Sequence, residues 1–292
     1  MFDDLLLNDA TKQRLEVFVG RPSQALLISG PAGSGKKYLA RRLAAALLNA
    51  PTDKLDNHPQ LHIIQKPADK SEIPIDSARR LINKLSLKAP GATTIINRIA
   101  IIEDADQLSG EAQNALLKLL EEPPAATLLA LTSSWPQNIL PTVISRLQTI
   151  NIQPADLAES RVFYHDKYKD PDIESAWRLS RGSVGLLNAL LAEGSEHHMK
   201  RAVEDAKAVI SLKGYERLGY IQSAAKDKGQ FVVLLDALSR VLSVLHQANI
   251  SNKATADKIL KSRQAVLSAQ ESLEKNTNLR LLALDLALNM PL

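Results

Sequence analysis

The run Ser29-Gly30-Pro31-Ala32-Gly33-Ser34-Gly35-Lys36-Lys37 has the residue types of a phosphate-binding loop. Gly30, Gly33 and Gly35 let the backbone turn its N–H groups inward, and the helix that follows adds unpaired N–H groups and a positive dipole end. Lys36 would place an ammonium beside the outer phosphates of a nucleotide. One position departs from the pattern. Where G-x-x-x-x-G-K-[ST] requires a hydroxyl, this chain has Lys37. Magnesium takes oxygen ligands, and an ammonium has no lone pair to offer and adds a second positive charge beside the metal. The alternative is that a water replaces the hydroxyl and weak catalysis survives.

A second group, Glu103-Asp104, closes the apolar run Ile99 to Ile102. In a phosphate-loop ATPase an acid at the end of a neighbouring strand holds Mg²⁺, and a further polar residue orients the attacking water. The usual order is Asp-Glu. Here it is reversed, so the longer side chain stands where the metal ligand is expected and the shorter one where reach toward water is needed. Without the phosphate loop, two acids at a strand end would read as merely solvated. Arg80, Lys84 and Lys88 recur at i, i+4, i+8, a row of cations able to track a nucleic-acid backbone without reading sequence, or else a solvated helix face.

These residues need elements to position them. Ala25 to Ile28 reads as a buried strand before the loop, and Leu39, Leu43 and Leu47 mark the stripe of the helix after it. Asn8 or Asp9 can cap a first helix that turns Leu15 and Val17 inward. Leu61 to Ile64 and Thr127 to Thr132 are further strands, and Val143 to Ile152 carries Arg146 into the last. Asp76 can cap a helix with Ala78, Leu81, Ile82 and Leu85 on its apolar side. Ser109 opens another, which Pro123-Pro124 stops. Strands alternating with helices predict an α/β domain with a parallel sheet over residues 1–152. Beyond Pro154 no strand pattern recurs: a short helical segment spans 153–198 and an all-α region 199–292, with stripes at Val203, Ala206, Val209 and Ile210, at Phe231, Leu234, Leu235, Leu238, Val241, Leu242 and Leu245, and a final apolar helix from Leu281 to Leu288.

At 292 residues and 45% hydrophobic content the chain can bury two or three ordinary cores. It has no cysteine, which excludes disulfides, thiolate zinc sites and cysteine nucleophiles, and fits a reducing cytoplasm. The six histidines show no metal-ligand spacing, so no metal site is expected. No apolar run looks long enough to span a membrane, and the start Met1-Phe2-Asp3-Asp4 lacks the basic region of a signal peptide. A net charge of +4 mildly favours a polyanionic partner.

Residues 101–109, Ile-Ile-Glu-Asp-Ala-Asp-Gln-Leu-Ser, together with Asn114-Ala115-Leu116-Leu117-Lys118-Leu119-Leu120-Glu121-Glu122-Pro123-Pro124, closely resemble the AAA+ clamp-loader family of DNA replication. Thr142-Val143-Ile144-Ser145-Arg146 looks like the family's Ser-Arg-Cys motif, with Leu147 in place of the cysteine, and Lys12-Gln13-Arg14-Leu15 is a weaker match. The resemblance implies an AAA+ domain, a small helical lid and a helical collar, in that order. It also implies that Arg146 reaches across a subunit interface as a finger to a neighbour's ATP; the alternative is a structural arginine capping carbonyls near the next strand. Active members carry an arginine in the lid where Gly182-Ser183-Val184-Gly185 has glycine, and the family's four-cysteine zinc module is missing between Asn49 and His58. With these departures the chain is similar to the family's non-hydrolysing member rather than to its motor subunit. No cofactor is then required and ATP binding is doubtful. The partners implied are delta and gamma/tau-like subunits in a hetero-oligomeric ring, the sliding clamp through that complex, and primer-template DNA.

Overall fold

Five short runs rich in leucine and isoleucine form one parallel sheet in the computed structural model, which describes residues 2–87, 95–192, 198–274 and 277–291. They are β1 (Ala25–Ser29), β2 (Leu61–Ile64), β3 (Arg98–Ile102), β4 (Thr127–Ser133) and β5 (Gln148–Asn151), in the order β2-β3-β4-β1-β5. The three central strands are buried along their whole length, whereas edge strand β2 is partly buried and edge strand β5 exposes three of its four residues. Register pairs Ser29 with Ser133, and Ile102 with both Leu131 and Ile64. The carboxyl ends of β1, β3 and β4 therefore lie side by side, where sheets of this kind bind ligands.

Alternate residues of the three central strands feed two cores. Leu26, Ile28, Ile99, Ile101, Leu128 and Ala130 pack with Leu15 and Phe18 of α1 (Asp9–Gly20) and with Leu39 and Leu43 of α2 (Lys36–Leu47). Leu27, Ala100, Ile102, Leu129 and Leu131 pack with Leu81 and Leu85 of α3 (Ile75–Ser86) and with Leu116 and Leu119 of α4 (Gly110–Glu121). Asn8 caps α1 through Ala10 N–H, and Ser109 caps α4 through Ala112 N–H at 3.1 Å.

Three local expectations need correction. Val17 is 71% exposed, and α1 instead buries Thr11, Leu15 and Phe18, the set that a 3.6-residue period keeps on one face. Asp76 lies inside the first turn of α3, whose N-cap is Pro74. Val143 belongs to a one-turn helix, α5 (Pro141–Ile144), started by a proline whose fixed φ suits the first helical position. The last strand begins only at Gln148, so Arg146 stands in the connection between α5 and β5.

The chain divides into two compact units, Met1–Glu159 and Ser160–Leu292. After α6 (Leu157–Tyr164), the second contains α7 (Asp170–Ser180), α8 (Val184–Leu191), α9 (His198–Ser211), α10 (Gly214–Ala224), α11 (Lys228–Ala248), α12 (Lys253–Glu274) and α13 (Leu279–Leu288). The anticipated stripes on α9 and α11 meet in one cluster with Leu179, Val266, Leu282 and Leu286. Contrary to expectation, α11 is, at 21 residues, long and apolar enough by length and composition to cross a membrane. Its apolar side, including Phe231, Leu235, Leu238 and Leu242, is buried against neighbouring helices. Two buried arginines satisfy helix-end carbonyls here: Arg217 donates to Leu212 O and Met290 O, and Arg240 donates to Ser180 O while pairing with Asp236.

In the first unit a buried glutamine ties α4 to the segment that leads into α5. Gln113 Nε2 donates to Leu108 O and Asn138 O, both at 3.2 Å, and Oε1 accepts from Leu140 N–H at 2.7 Å. Gln113→Leu leaves those groups without their partner, and urea denaturation should show a loss of about 2–4 kcal/mol. A loss below about 0.5 kcal/mol would show that the backbone finds other partners.

Candidate functional site

The phosphate loop runs from β1 to α2 on backbone that only glycine adopts easily. Gly33 and Gly35 have φ of 78° and 83°. Gly30 serves by its size: a Cβ there would lie 3.0 Å from Ser34 Oγ and 3.1 Å from Ile152 Cβ. Gly35 is the N-cap of α2 and makes no side-chain cap, so the first N–H groups of the helix face the loop. Ser34 Oγ is buried without a hydrogen-bond partner. These features suit an anion.

Lys36 is turned inward. Its ammonium donates to Gly30 O at 2.9 Å and Pro31 O at 2.8 Å, and the residue is 5% exposed. Burial lowers its pKa to about 8, against the opposing pull of Asp104 and Asp106.

Lys37, the residue that breaks the motif, finds the acidic pair. Its Nζ lies 2.6 Å from Asp104 Oδ2 and 3.6 Å from Glu103 Oε2. Burial pulls its pKa down, but the hydrogen bond it donates to Asp104 and the charges of both acids outweigh this and raise it. Glu103 is 3% exposed and also accepts from Arg41 Nη2 at 3.0 Å and Nε at 3.2 Å; Arg41 in turn pairs with Asp56. Arg41 follows Lys37 by four residues and so shares its helix face, the one signal that pointed to it. Behind the acids, Asp104 adopts φ 51° and its N–H donates to Thr132 Oγ1 at 3.0 Å, while Ser133 Oγ accepts from Trp135 N–H. The two hydroxyls at the end of β4 therefore hold loops in place.

Magnesium does not fit this arrangement. Two carboxylates face two fixed cations, so a divalent ion would have to displace Lys37 from Asp104 and compete with Arg41 for a buried Glu103. The half-exposed Lys37–Asp104 pair contributes about 1 kcal/mol or less, so the main obstacle to a divalent ion is Arg41, which donates to the buried Glu103 through two nitrogens.

The remaining anticipated residues lie away from this network. Arg146 is exposed; Nη1 donates to Thr142 O at 2.7 Å and Nη2 to Glu121 Oε1 at 2.6 Å. Carbonyl capping and surface exposure thus coexist in one side chain, and nothing in the order of residues marks Glu121 as its partner. Arg80 and Lys84 line a groove of about 330 Å³ between α3 and the edge strand β2, with His62 and Gln65. Burial lowers the pKa of His62, and nearby Lys84 and Arg98 lower it further, the mark of a positive local field. Lys88 lies outside the described residues. Gly185 sits in the first turn of α8, in the second unit.

A parallel sheet with a glycine loop after its first strand, acids after its third and a helical extension defines the class of phosphate-loop α/β proteins. Within it, a family model described as "DNA polymerase III, delta subunit" matches residues 10–156, slightly more than half of the chain. The chain belongs to that family. A DNA polymerase III subunit delta' of Bacillus subtilis is 32% identical over 164 residues, 51% of this chain and 46% of the relative. The subunit of the same name from Escherichia coli is 28% identical over 244 residues, 76% of this chain and 71% of the relative. A DNA polymerase III subunit tau of B. subtilis is 27% identical over 269 residues, 84% of this chain and 46% of the relative. The chain thus spans about half the length of both B. subtilis relatives.

The lowered pKa of Lys36 has a signed consequence. Below about pH 8 the ammonium is charged in folded and unfolded chains alike, and folding bears the cost of burying it. Between about 8 and the ordinary 10.5 the unfolded chain binds the extra proton, so stability rises with pH. Relative to K36Q, the unfolding free energy should therefore grow by on the order of 3 kcal/mol across that window. A constant difference between the two proteins would refute the inward placement of the ammonium.

Proposed function

We propose that this chain is the non-hydrolysing, delta-prime-type subunit of a replicative clamp loader, a stator-like member that lends Arg146 to ATP bound by a neighbouring subunit. The observation that carries the reading is the Lys37–Asp104–Glu103–Arg41 network, which commits the acids of the ATPase motif to the protein's own cations. Arg146, by contrast, remains exposed at the surface of the same unit. A guanidinium presents several donors in a rigid plane and keeps its charge, which suits it to developing phosphoryl charge. The partners in this reading are delta and gamma/tau-like subunits in a hetero-oligomeric ring in the cytoplasm, with the sliding clamp and primer-template DNA engaged through the complex. The segments 1–152, 153–198 and 199–292 would act as AAA+ domain, lid and collar.

The tau relative keeps a motor reading in view, and turnover separates the two. The purified chain with magnesium should hydrolyse no ATP, and K37T alone should not create turnover, because the reversed acids remain. In the assembled complex, R146A should slow hydrolysis at the neighbour's site, where such an arginine contributes on the order of 10³ or more, without lowering this chain's own stability. Brisk turnover by the isolated chain, or an unchanged complex rate with R146A, would reject the proposal.

The groove beside α3 offers DNA two described cations, Arg80 and Lys84. Replacing both with glutamine should reduce the slope of log affinity against log salt for primer-template binding by the complex by about 1 to 2. An unchanged slope would assign them to a solvated face.

A further inference from the structure

Glu121 is the last residue of α4, and its neighbours in that helix, Leu116, Leu119 and Leu120, are buried in the sheet's core. Pro123 and Pro124 stop the helix just beyond it. A carboxylate at a helix C-terminus faces the negative end of the dipole, so for the helix alone Glu121 is the wrong residue type. It nevertheless reaches across 25 positions of sequence to Arg146, with Oε1 2.6 Å from Nη2. A second anchor comes from Thr142 O, 2.7 Å from Nη1, and a longer contact from Ser145 Oγ at 3.4 Å. Two acceptors on two different nitrogens fix the plane of the guanidinium. They leave Nε–H and one Nη2–H for an incoming anion, since among the described residues neither has a hydrogen-bond acceptor assigned to it.

We propose that Glu121 is a positioning residue for Arg146, a carboxylate on a rigid helix end that holds the guanidinium ready for the phosphate of a neighbour's nucleotide. The inference rests on the reading of Arg146 as a finger in trans. A flexible arginine must be ordered at the moment of reaction, whereas one already tethered has lost that freedom beforehand. Thr142 O holds one nitrogen within the same turn, and Glu121 supplies the constraint from a different element.

The test uses the complete complex assembled from this chain and its cognate subunits, with assembly checked by mass and folding by urea midpoint. E121A should slow ATP turnover severalfold with assembly and midpoint unchanged, and E121Q, which keeps an acceptor oxygen, should slow it less. In an R146A background neither substitution should slow turnover further, an absence of additivity that a merely structural role would not produce. If R146A slows the complex while both Glu121 variants keep the wild-type rate, the positioning role falls and the finger stands. An equal slowing by E121A with and without Arg146, or faster turnover, would also overturn the role. If R146A leaves turnover unchanged, the finger reading and this inference fall together.

Discussion

The structure depends on a short chain of opposite charges at the carboxyl ends of the sheet. Lys37 faces Asp104 and Glu103, Arg41 faces Glu103 and Asp56, and Glu103 is almost fully buried between them. A buried carboxylate is tolerated only when its charge is matched and its lone pairs are engaged. In an active phosphate-loop site a bound metal supplies much of that positive charge. Here the protein's own side chains supply it, and both come from one face of α2. The residue that removes a metal ligand from the motif also provides a cation that pairs with the motif's acids.

The same logic extends to the loop itself. Lys36 hydrogen-bonds to the carbonyls of Gly30 and Pro31, so the second cation of the motif is also satisfied internally. Thr132 and Ser133 accept hydrogen bonds from loop backbone. The inner site is a structural junction joining the ends of β1, β3 and β4. Arg146 shows the reverse allocation: its anchors are at the surface, and part of its donor capacity is left outward. Gln113 fixes α4 to the segment that enters α5, so α4 and the loop bearing Arg146 are parts of one packed body.

Much of this was legible from residue order, for identifiable reasons. Apolar runs bounded by turns located the three central strands and β2, because strands buried in the middle of a sheet cannot hide their composition, whereas the mostly exposed β5 was placed only approximately. The fault at position 37 was visible because a motif specifies chemistry position by position. Its resolution was not visible, since Lys37 and Asp104 are brought together only by a strand order that places β4 between β1 and β3. Arg41 shared a face with Lys37, yet its partner Glu103 lies 62 residues away. The motif around Arg146 could be read, whereas Glu121 could be assigned to it only once α4 and α5 were packed. Besides the cap of α3 and the length of α11, two apolar residues were misplaced: Val17 for Phe18 in α1, and Val143 in a strand extended over a helical turn begun by Pro141. In both cases an apolar residue was placed by type alone, and backbone geometry decided otherwise.

A site that carries its own counter-charge should gain nothing from a metal. Equilibrium binding of ATP to the isolated chain, with magnesium and with the metal chelated, tests it most directly. Magnesium should not strengthen whatever ATP binding is found. A gain in affinity of about tenfold or more, equivalent to about 1.4 kcal/mol, would show that the acids are open to a metal and would contradict it.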